Sequence, residues 1–223
     1  MVARPRAPYS GRHARAPAGS PGALMAAHAR HGNPPDLRRL MRRQLAKTRA
    51  RWQRPDRVLQ ALRVRRGAVV ADVGSGPGYF TTRLARAVGP RGRVYAVDPE
   101  PEVLKVLVKR LDGRTNVTPV LSRDDDPMLP PSSCDLAVFV NAYHHVADGP
   151  AFVRRLARCL KPGGRLAAID WAYRETPMGP PMRRRIPPEQ FVRIGRRAGL
   201  RPVARHEFLK YQYFVVLARP RPR

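Results

Sequence analysis

The chain is poor in cysteine, in acidic residues and in long apolar runs. Each of these shortages excludes or disfavours certain classes of protein. Its two cysteines, Cys134 and Cys159, lack any metal-ligand spacing and cannot form a disulfide framework, so a reducing, cytoplasmic compartment is expected and no metal site is predicted. No apolar run approaches the ~20 residues that cross a bilayer. We therefore expect a soluble protein without a membrane span.

Acidic residues are outnumbered by basic ones, 16 against 44, which gives a formal net charge of +28. A field of this size favours nucleic acid or an anionic membrane surface as a partner. Arginine supplies nearly all of the charge, however, and abundant alanine, proline and glycine accompany it, which is typical of a GC-rich genome. The charge is also spread along the chain. Nucleic-acid binding stays possible but is not favoured.

One segment carries most of the functional information. The apolar run Val69–Val73 contains Asp72 and leads into Gly74, Ser75, Gly76 and Gly78, and a second apolar run ends at Asp98. Such a run predicts a buried strand, and closely spaced glycines let the chain turn sharply and bring backbone N–H groups against a ligand. A carboxylate at the end of the neighbouring strand can accept hydrogen bonds from the hydroxyls of a ribose. The segment predicts a nucleotide-cofactor site.

The glycine spacing indicates which cofactor. A dinucleotide site uses G-x-G-x-x-G, whereas this chain has G-x-G-x-G and places the bulky Tyr79 at the expected helical position. Asp72 also suits a cationic ammonium better than a diphosphate. These residues resemble motif I and the acidic ribose residue of class I S-adenosylmethionine-dependent methyltransferases. The resemblance implies S-adenosylmethionine as the cofactor.

Further segments are similar to the same family: the acidic loop SRDDDPMLP from Ser122 to Pro130, the strand ending at Asn141, and the L-K-P-G-G turn of residues 160–164, where we expect Gly163 and Gly164 to have positive φ. The nearest likeness is to small-molecule methyltransferases, including the quinone-biosynthesis and arsenite enzymes. Arsenite chemistry needs several cysteines, so that subtype is disfavoured.

The resemblance also implies roles for the cofactor residues. Backbone N–H groups of residues 74–78 should face the methionine part of the cofactor and Asp98 the ribose. Asn141 should present its backbone near the methionine end. The acidic residue near the adenine is Asp124 or Asp125, with Asp126 as a third choice. Alternatively, these three aspartates lie in a solvated turn and contact no cofactor.

The alternation of apolar and amphipathic segments predicts an α/β fold: a doubly wound, mostly parallel, seven-stranded Rossmann-like sheet with a terminal antiparallel hairpin. Residues 1–35 are expected to be a disordered Arg/Pro-rich extension, 36–66 a helical cap and 67–219 the cofactor-binding domain. Predicted helices cover residues 36–50, 56–62, 80–88, 102–111, 151–160 and 188–198, and predicted strands 69–73, 93–97, 117–121, 136–140, 165–170, 202–208 and 213–218.

Ligands of such sheets bind outside the carboxyl ends of the strands, which defines a rim of candidate acceptor residues. His145, and after it His144, can act as a general base near neutral pH. Arg183–Arg185 either clamp an anionic substrate or are solvated, and Trp52 either covers the substrate or anchors its helix. Aromatic side chains predicted to form a pocket mouth for a flat acceptor are Tyr143, Trp171, Tyr173 and Tyr211.

The leading functional hypothesis is an enzyme that transfers a methyl group from S-adenosylmethionine to O, N or C of a small, partly aromatic molecule. One alternative is an RNA or ribosomal methyltransferase, which the basic charge favours. The other is a non-catalytic S-adenosylmethionine-binding protein. The acceptor and the oligomeric state stay open.

Overall fold

The computed structural model describes residues 36–222; the predicted extension of residues 1–35 lies outside the described part of the chain. A single seven-stranded sheet runs in the order β3-β2-β1-β4-β5-β7-β6. The strands are β1 (Val69–Val73), β2 (Arg93–Asp98), β3 (Val117–Leu121), β4 (Cys134–Val140), β5 (Leu160–Trp171), β6 (Arg201–His206) and β7 (Gln212–Ala218).

Strands β1 to β5 pair in parallel, and β7 runs antiparallel to both β5 and β6. The predicted fold class, with its terminal hairpin, is confirmed. The strand order reverses between β1 and β4, so the carboxyl ends of β1, β2 and β4 surround the topological switch point at which open α/β sheets bind their ligands.

Seven helices accompany the sheet within residues 36–222: α1 (Leu37–Leu45), α2 (Arg49–Gln53), α3 (Pro55–Leu62), α4 (Thr81–Val88), α5 (Pro101–Leu111), α6 (Gly149–Cys159) and α7 (Pro188–Arg197). Two short 3-10 turns, Tyr143–His145 and Met182–Arg184, lie in the loops after β4 and β5. No helix in this part of the chain is both long and apolar enough to span a bilayer.

The sheet is buried on both faces, as its apolar strands require. On one face the core includes Val70, Val94 and Val138 of the sheet with Leu84 of α4 and Leu107 of α5. On the other face Phe139 and Leu166 pack with Phe152 of α6 and Phe191 of α7. Helix α1 lies outside these layers and packs through Leu37 and Met41 against Val103 of α5.

The predicted continuous helix of residues 36–50 is wrong. Helix α1 ends at Leu45 because Ala46 adopts an extended conformation (φ −56°, ψ 132°). The carbonyl of Gln44 accepts a hydrogen bond from the Arg49 side chain, and α2 begins at that arginine. At the end of α2, Gln53 contacts Gln212 of the sheet.

The L-K-P-G-G segment also differs from expectation, since β5 begins at Leu160 without an intervening turn. Gly163 has the expected positive φ of 79°, but Gly164 does not. A Cβ at Gly164 would lie 2.9 Å from the backbone oxygen of Cys134 on the neighbouring strand. Gly164 is therefore required by close backbone packing rather than by a left-handed conformation.

Candidate active site

A cavity lies at the carboxyl ends of β1, β2 and β4, at the switch point of the sheet. Its walls combine the glycine loop, acidic side chains and two phenylalanines of the core. The lining residues include Gln44, Gly74, Gly76, Asp98, Ser122, Asp124, Phe139, Asn141, His145, Val146 and Phe152. Of the predicted cofactor residues, Asp72, Ser75, Gly78 and Asp125 are not part of this lining.

The glycine loop shapes the cavity with its backbone. The N–H groups of Gly74 and Ser75 both donate to the carbonyl of Val97, and the N–H of Gly78 donates to the carbonyl of Ser75. The N–H groups expected to face the cofactor are thus engaged within the protein. A Cβ at Gly74 would overlap the Ala142 side chain, so this glycine lets the loops after β1 and β4 meet.

Asp98, the last residue of β2, holds the glycine loop against the strand. Its Oδ2 accepts the N–H of Gly76 at 2.9 Å, and its Oδ1 accepts the N–H of Glu100 at 3.0 Å. Burial raises the pKa of Asp98 to about 6, against the opposing effect of these two hydrogen bonds. Each carboxylate oxygen has a second lone pair, so Asp98 can accept further hydrogen bonds from a ligand.

Asp72 is buried beneath the loop, where its Oδ2 accepts the Thr81 hydroxyl at 2.6 Å. Burial raises the pKa of this carboxyl to about 6. Arg49 of α2 counters that effect electrostatically, and burial lowers the pKa of Arg49 itself to about 10. A buried carboxylate and a buried guanidinium therefore interact electrostatically near the glycine loop, with no ion pair between them.

Nothing in the local sequence distinguishes Arg49 from its many neighbouring arginines. The structure singles it out because its guanidinium carbon lies 4.3 Å from the centre of the Tyr79 ring, while Nε and Nη1 donate to Gln53 and to the carbonyl of Gln44. Its burial follows from the break between α1 and α2.

The three acidic residues that the sequence offered as the one near the adenine have different environments in the structure. Asp124 lines the cavity. Asp125 forms an ion pair with Arg155 of α6 on the surface, and Asp126 lies 3.7 Å from the same arginine. The geometry thus favours Asp124 as the acidic residue that reaches a ligand.

Asn141 belongs to a closed ring of three amide side chains. Its Nδ2 donates to Gln53 Oε1 at 3.2 Å, Gln53 Nε2 donates to Gln212 Oε1 at 2.7 Å, and Gln212 Nε2 donates to Asn141 Oδ1. The ring ties α2 to the ends of β4 and β7. It also holds Asn141, whose φ is 55°, in a left-handed conformation at the cavity wall.

The two histidines after β4 have different environments. His145 lines the cavity, and its Nδ1 lies 3.3 Å from Nη2 of Arg184. His144 is buried and its Nδ1 lies 2.7 Å from Oδ1 of Asp170, at the end of β5. The two rings are in contact, with centroids 4.2 Å apart and planes tilted by 40°. Asp170 is a site residue that sequence reasoning missed.

None of the four aromatic residues predicted to form a pocket mouth is among those that line this cavity in the described part of the chain. Tyr143 packs in the core with Phe139 and Phe191, where burial raises its pKa. The ring centroids of Trp171 and Trp52 lie 5.3 Å apart, a contact that favours Trp52 as the anchor of its helix. Tyr173 is 55% exposed, and Tyr211 lies at the hairpin under Lys210. The aromatic rings that do line the cavity are Phe139 and Phe152.

These residues suit S-adenosylmethionine. A neutral or anionic carboxyl at Asp98 can take ribose hydroxyls, Asp124 can take the adenine amino group, and the acidic lining favours a cationic sulfonium. Asp72 and Arg49 offer opposite charges near the glycine loop, as the ammonium and carboxylate of a methionine moiety require. The strand order and this cavity together define a Rossmann-like domain with a nucleoside-type site at its switch point.

Comparison with known proteins identifies the class. A family model described as a methyltransferase domain matches residues 71–168. A ubiquinone/menaquinone biosynthesis C-methyltransferase from Pasteurella multocida is 31% identical over 112 residues, 49% of this chain and 42% of that protein. The matched domain, residues 71–168, is a methyltransferase domain of the class I S-adenosylmethionine-dependent type, an enzyme class whose cofactor is S-adenosylmethionine.

Solved structures agree. A SAM-dependent methyltransferase from Aquifex aeolicus has a TM-score of 0.77 and 28% identity, covering 82% of this chain and 98% of that one. An arsenic(III) S-adenosylmethionine methyltransferase from Chlamydomonas reinhardtii has a TM-score of 0.57 and 21% identity over 71% of this chain and 65% of that one, a likeness of fold alone. The chain spans about half the length of the curated relatives it matches.

Proposed function

We propose that this protein transfers the methyl group of S-adenosylmethionine to O, N or C of a small, partly aromatic molecule. The observation that carries the proposal is one cavity whose lining combines Asp98 and Asp124 with Phe139, Phe152 and His145. The carboxyl groups suit an adenosine, and the apolar side chains with a histidine suit a small acceptor. The two buried, unpaired thiols fit a reducing cytoplasm.

Within this proposal, Asp98 binds the ribose and Asp124 the adenine amino group. Asn141 shapes the methionine end of the cavity, and Asp72 acts through its charge from beneath the glycine loop with Arg49 as its counterpart. The cofactor supplies a methyl group already activated on a cationic sulfur. The chain's contribution is to hold the acceptor atom in line and a few ångströms away, and no covalent residue is needed.

The two histidines have different roles in proton transfer because their ring nitrogens have different partners. Arginine can only donate, so Nδ1 of His145 is the acceptor in its contact with Arg184, and the neutral ring carries its proton on Nε2. In the neutral His144 ring, by contrast, Nδ1–H donates to Asp170 and leaves Nε2 with the lone pair of a base. We propose His145 as the group that contacts the acceptor and His144 as the one better prepared to take a proton.

Calorimetric titration of the purified protein with S-adenosylmethionine and with its demethylated product tests the cofactor, with NAD as the control. Micromolar binding of the first two and none of NAD is expected, and a screen of small aromatic acceptors for product formation follows. Binding without turnover across a broad panel would favour the non-catalytic alternative. NAD binding would contradict the proposal.

A second candidate is methylation of RNA, and one observation favours it. Arg38, Arg39, Arg42 and Arg43 are exposed on α1, the same helix that brings Gln44 to the cavity. A basic face beside an active site can bind a phosphate backbone. Salt-dependent RNA binding that is lost when these four arginines are changed to glutamine would support this candidate, because each neutralised phosphate adds to the salt dependence.

A further inference from the structure

Gln44 is a polar residue on the apolar face of helix α1. The buried residues of this helix are Leu37 and Met41, and Gln44 follows Met41 by one helical turn on the same face. Leu37 and Met41 pack against Val103 of α5, so this face is turned toward the rest of the protein. A half-buried amide therefore stands at the end of an otherwise apolar stripe.

The Gln44 side chain lines the same cavity as Gly76 and Asp98, although it lies outside residues 71–168, which match the methyltransferase domain. Its Oε1 lies 3.0 Å from the point that a Cβ at Gly76 would occupy. The N–H of Gly76 donates to Oδ2 of Asp98 at 2.9 Å. The amide of Gln44 is therefore placed at the part of the glycine loop that Asp98 holds.

A line of polar groups fixes Gln44 at the cavity. Its backbone carbonyl accepts Nη1 of Arg49 at 2.9 Å, and Nε of Arg49 donates to Oε1 of Gln53 at 3.0 Å. The same oxygen accepts Nδ2 of Asn141 at 3.2 Å. Arg49 and Gln53 are buried, and both ends of the line, Gln44 and Asn141, belong to the cavity lining. Contacts with the sheet, and not α1 alone, thus set the position of Gln44.

The side-chain amide of Gln44 makes no hydrogen bond to another group within residues 36–222; only its backbone carbonyl accepts the Arg49 side chain. An amide side chain offers two N–H donors and one carbonyl acceptor. A few polar groups in a largely apolar cavity commonly fix the orientation of a ligand. The Gln44 amide is therefore available to a ligand in this cavity.

We propose that the side-chain amide of Gln44 forms a hydrogen bond with bound S-adenosylmethionine, so that the cofactor site extends beyond residues 71–168 to helix α1. The inference rests on the proposed function, because that function assigns the part of the cavity around Gly76 and Asp98 to the cofactor. Helix α1 then supplies a binding residue and not only a packed surface.

The test titrates the full-length protein with S-adenosylhomocysteine in a calorimeter. Gln44→Leu keeps most of the side-chain volume but removes the donors and the acceptor, so the dissociation constant should rise about three- to tenfold, as the loss of one hydrogen bond allows. Gln44→Ala should raise it by a similar factor. Gln60→Leu, the same substitution at an exposed position of α3, is the matched control and should bind like the wild-type protein.

Amide hydrogen exchange of the ligand-free protein separates a direct contact from a packing role. Gln44→Leu should leave the exchange of α1 unchanged. Met41→Ala, which removes a side chain packed against Val103, should make that exchange faster. Faster exchange in Gln44→Leu would mean that Gln44 acts through the position of the helix, and would overturn the proposal.

The affinities provide two further ways to contradict it. A loss in Gln44→Ala that is absent in Gln44→Leu would show that bulk matters and hydrogen bonding does not. Wild-type affinity in both variants, with normal binding by the wild-type protein, would overturn this inference alone and leave the proposed function standing. A wild-type protein that binds no S-adenosylhomocysteine would overturn both.

Discussion

Asp98 shows how one carboxylate can serve the fold and the ligand together. Asp98→Asn keeps the side-chain shape but loses one acceptor oxygen and the charge. We expect S-adenosylmethionine binding to weaken by about 1.5 to 3 kcal/mol, the range for hydrogen bonds to a charged group. Calorimetry measures the loss. Asp125→Asn, which removes a surface carboxylate paired with Arg155, is the control and should bind normally.

The same residue predicts a pH dependence of stability. Burial raises the pKa of Asp98 from 3.8 to about 6 in the folded protein. A carboxyl whose pKa is higher in the folded state stabilises the fold below its unfolded pKa, and that contribution is lost as the pH rises to the folded value. Relative to Asp98→Asn, the wild-type free energy of unfolding should therefore fall by up to about 3 kcal/mol between pH 3.8 and about 6.

Cofactor affinity should change in the opposite direction over the same pH interval. Only the ionised carboxylate offers all its lone pairs to the ribose, so affinity should rise as the pH passes about 6. Urea unfolding and calorimetry at several pH values check the two trends. A difference between wild type and Asp98→Asn that stays constant with pH would contradict both.

At the scale of elements, the amide ring connects α2 to the sheet. Gln53→Ala or Gln212→Ala leaves buried amide partners unsatisfied, which costs about 1 to 3 kcal/mol of unfolding free energy in each case. The double variant should cost less than the sum, because both changes break the same ring. Chemical denaturation measures the cycle.

Gln60→Ala provides the control for that cycle, since Gln60 is an exposed glutamine on α3. Its effect should stay within about 0.5 kcal/mol, as for most surface substitutions. Additive losses at Gln53 and Gln212 would mean that the two amides act independently and that the ring does not work as a unit.

At the scale of the whole molecule, ligand binding should couple the N-terminal helices to the sheet. Gln44 of α1 lines one cavity with Asp98 of β2 and with Asn141, which directly follows β4, so a bound ligand bridges the two parts. We expect S-adenosylhomocysteine to slow amide hydrogen exchange in α1 and α2, because it stabilises the bound arrangement against local opening. Mass spectrometry of peptides covers both helices.

The far edge of the sheet is the internal control for the exchange experiment. Strand β6 lies on the opposite side of the sheet from β3, and its side chains are mostly exposed. Its exchange should not change when the ligand binds. Equal protection of β6 and α1 would indicate a global rise in stability, and no protection of α1 would contradict the bridging role of Gln44.

The sequence by itself determined the architecture and the cofactor class. Strand and helix patterns are local, because side chains alternate every two residues in a strand and every 3.6 in a helix. The glycine loop, Asp72 and Asp98 are encoded in two strands adjacent in the sheet, so their spacing was informative. Because such patterns are local, the predicted bounds of β1 and β3 agree with the observed ones.

Only the tertiary structure decided which side chains share the cavity. Asp124 and Asp125 are neighbours in sequence but have different environments. Asp125 forms an ion pair with Arg155 of α6, whereas Asp124 lines the cavity. The ring of Gln53, Asn141 and Gln212 joins positions up to 159 residues apart, and no local pattern marks such contacts. The contacts of the predicted aromatic residues are non-local for the same physical reason: Trp171 packs against Trp52 and Tyr143 packs against Phe191 of the core, each across segments distant in sequence.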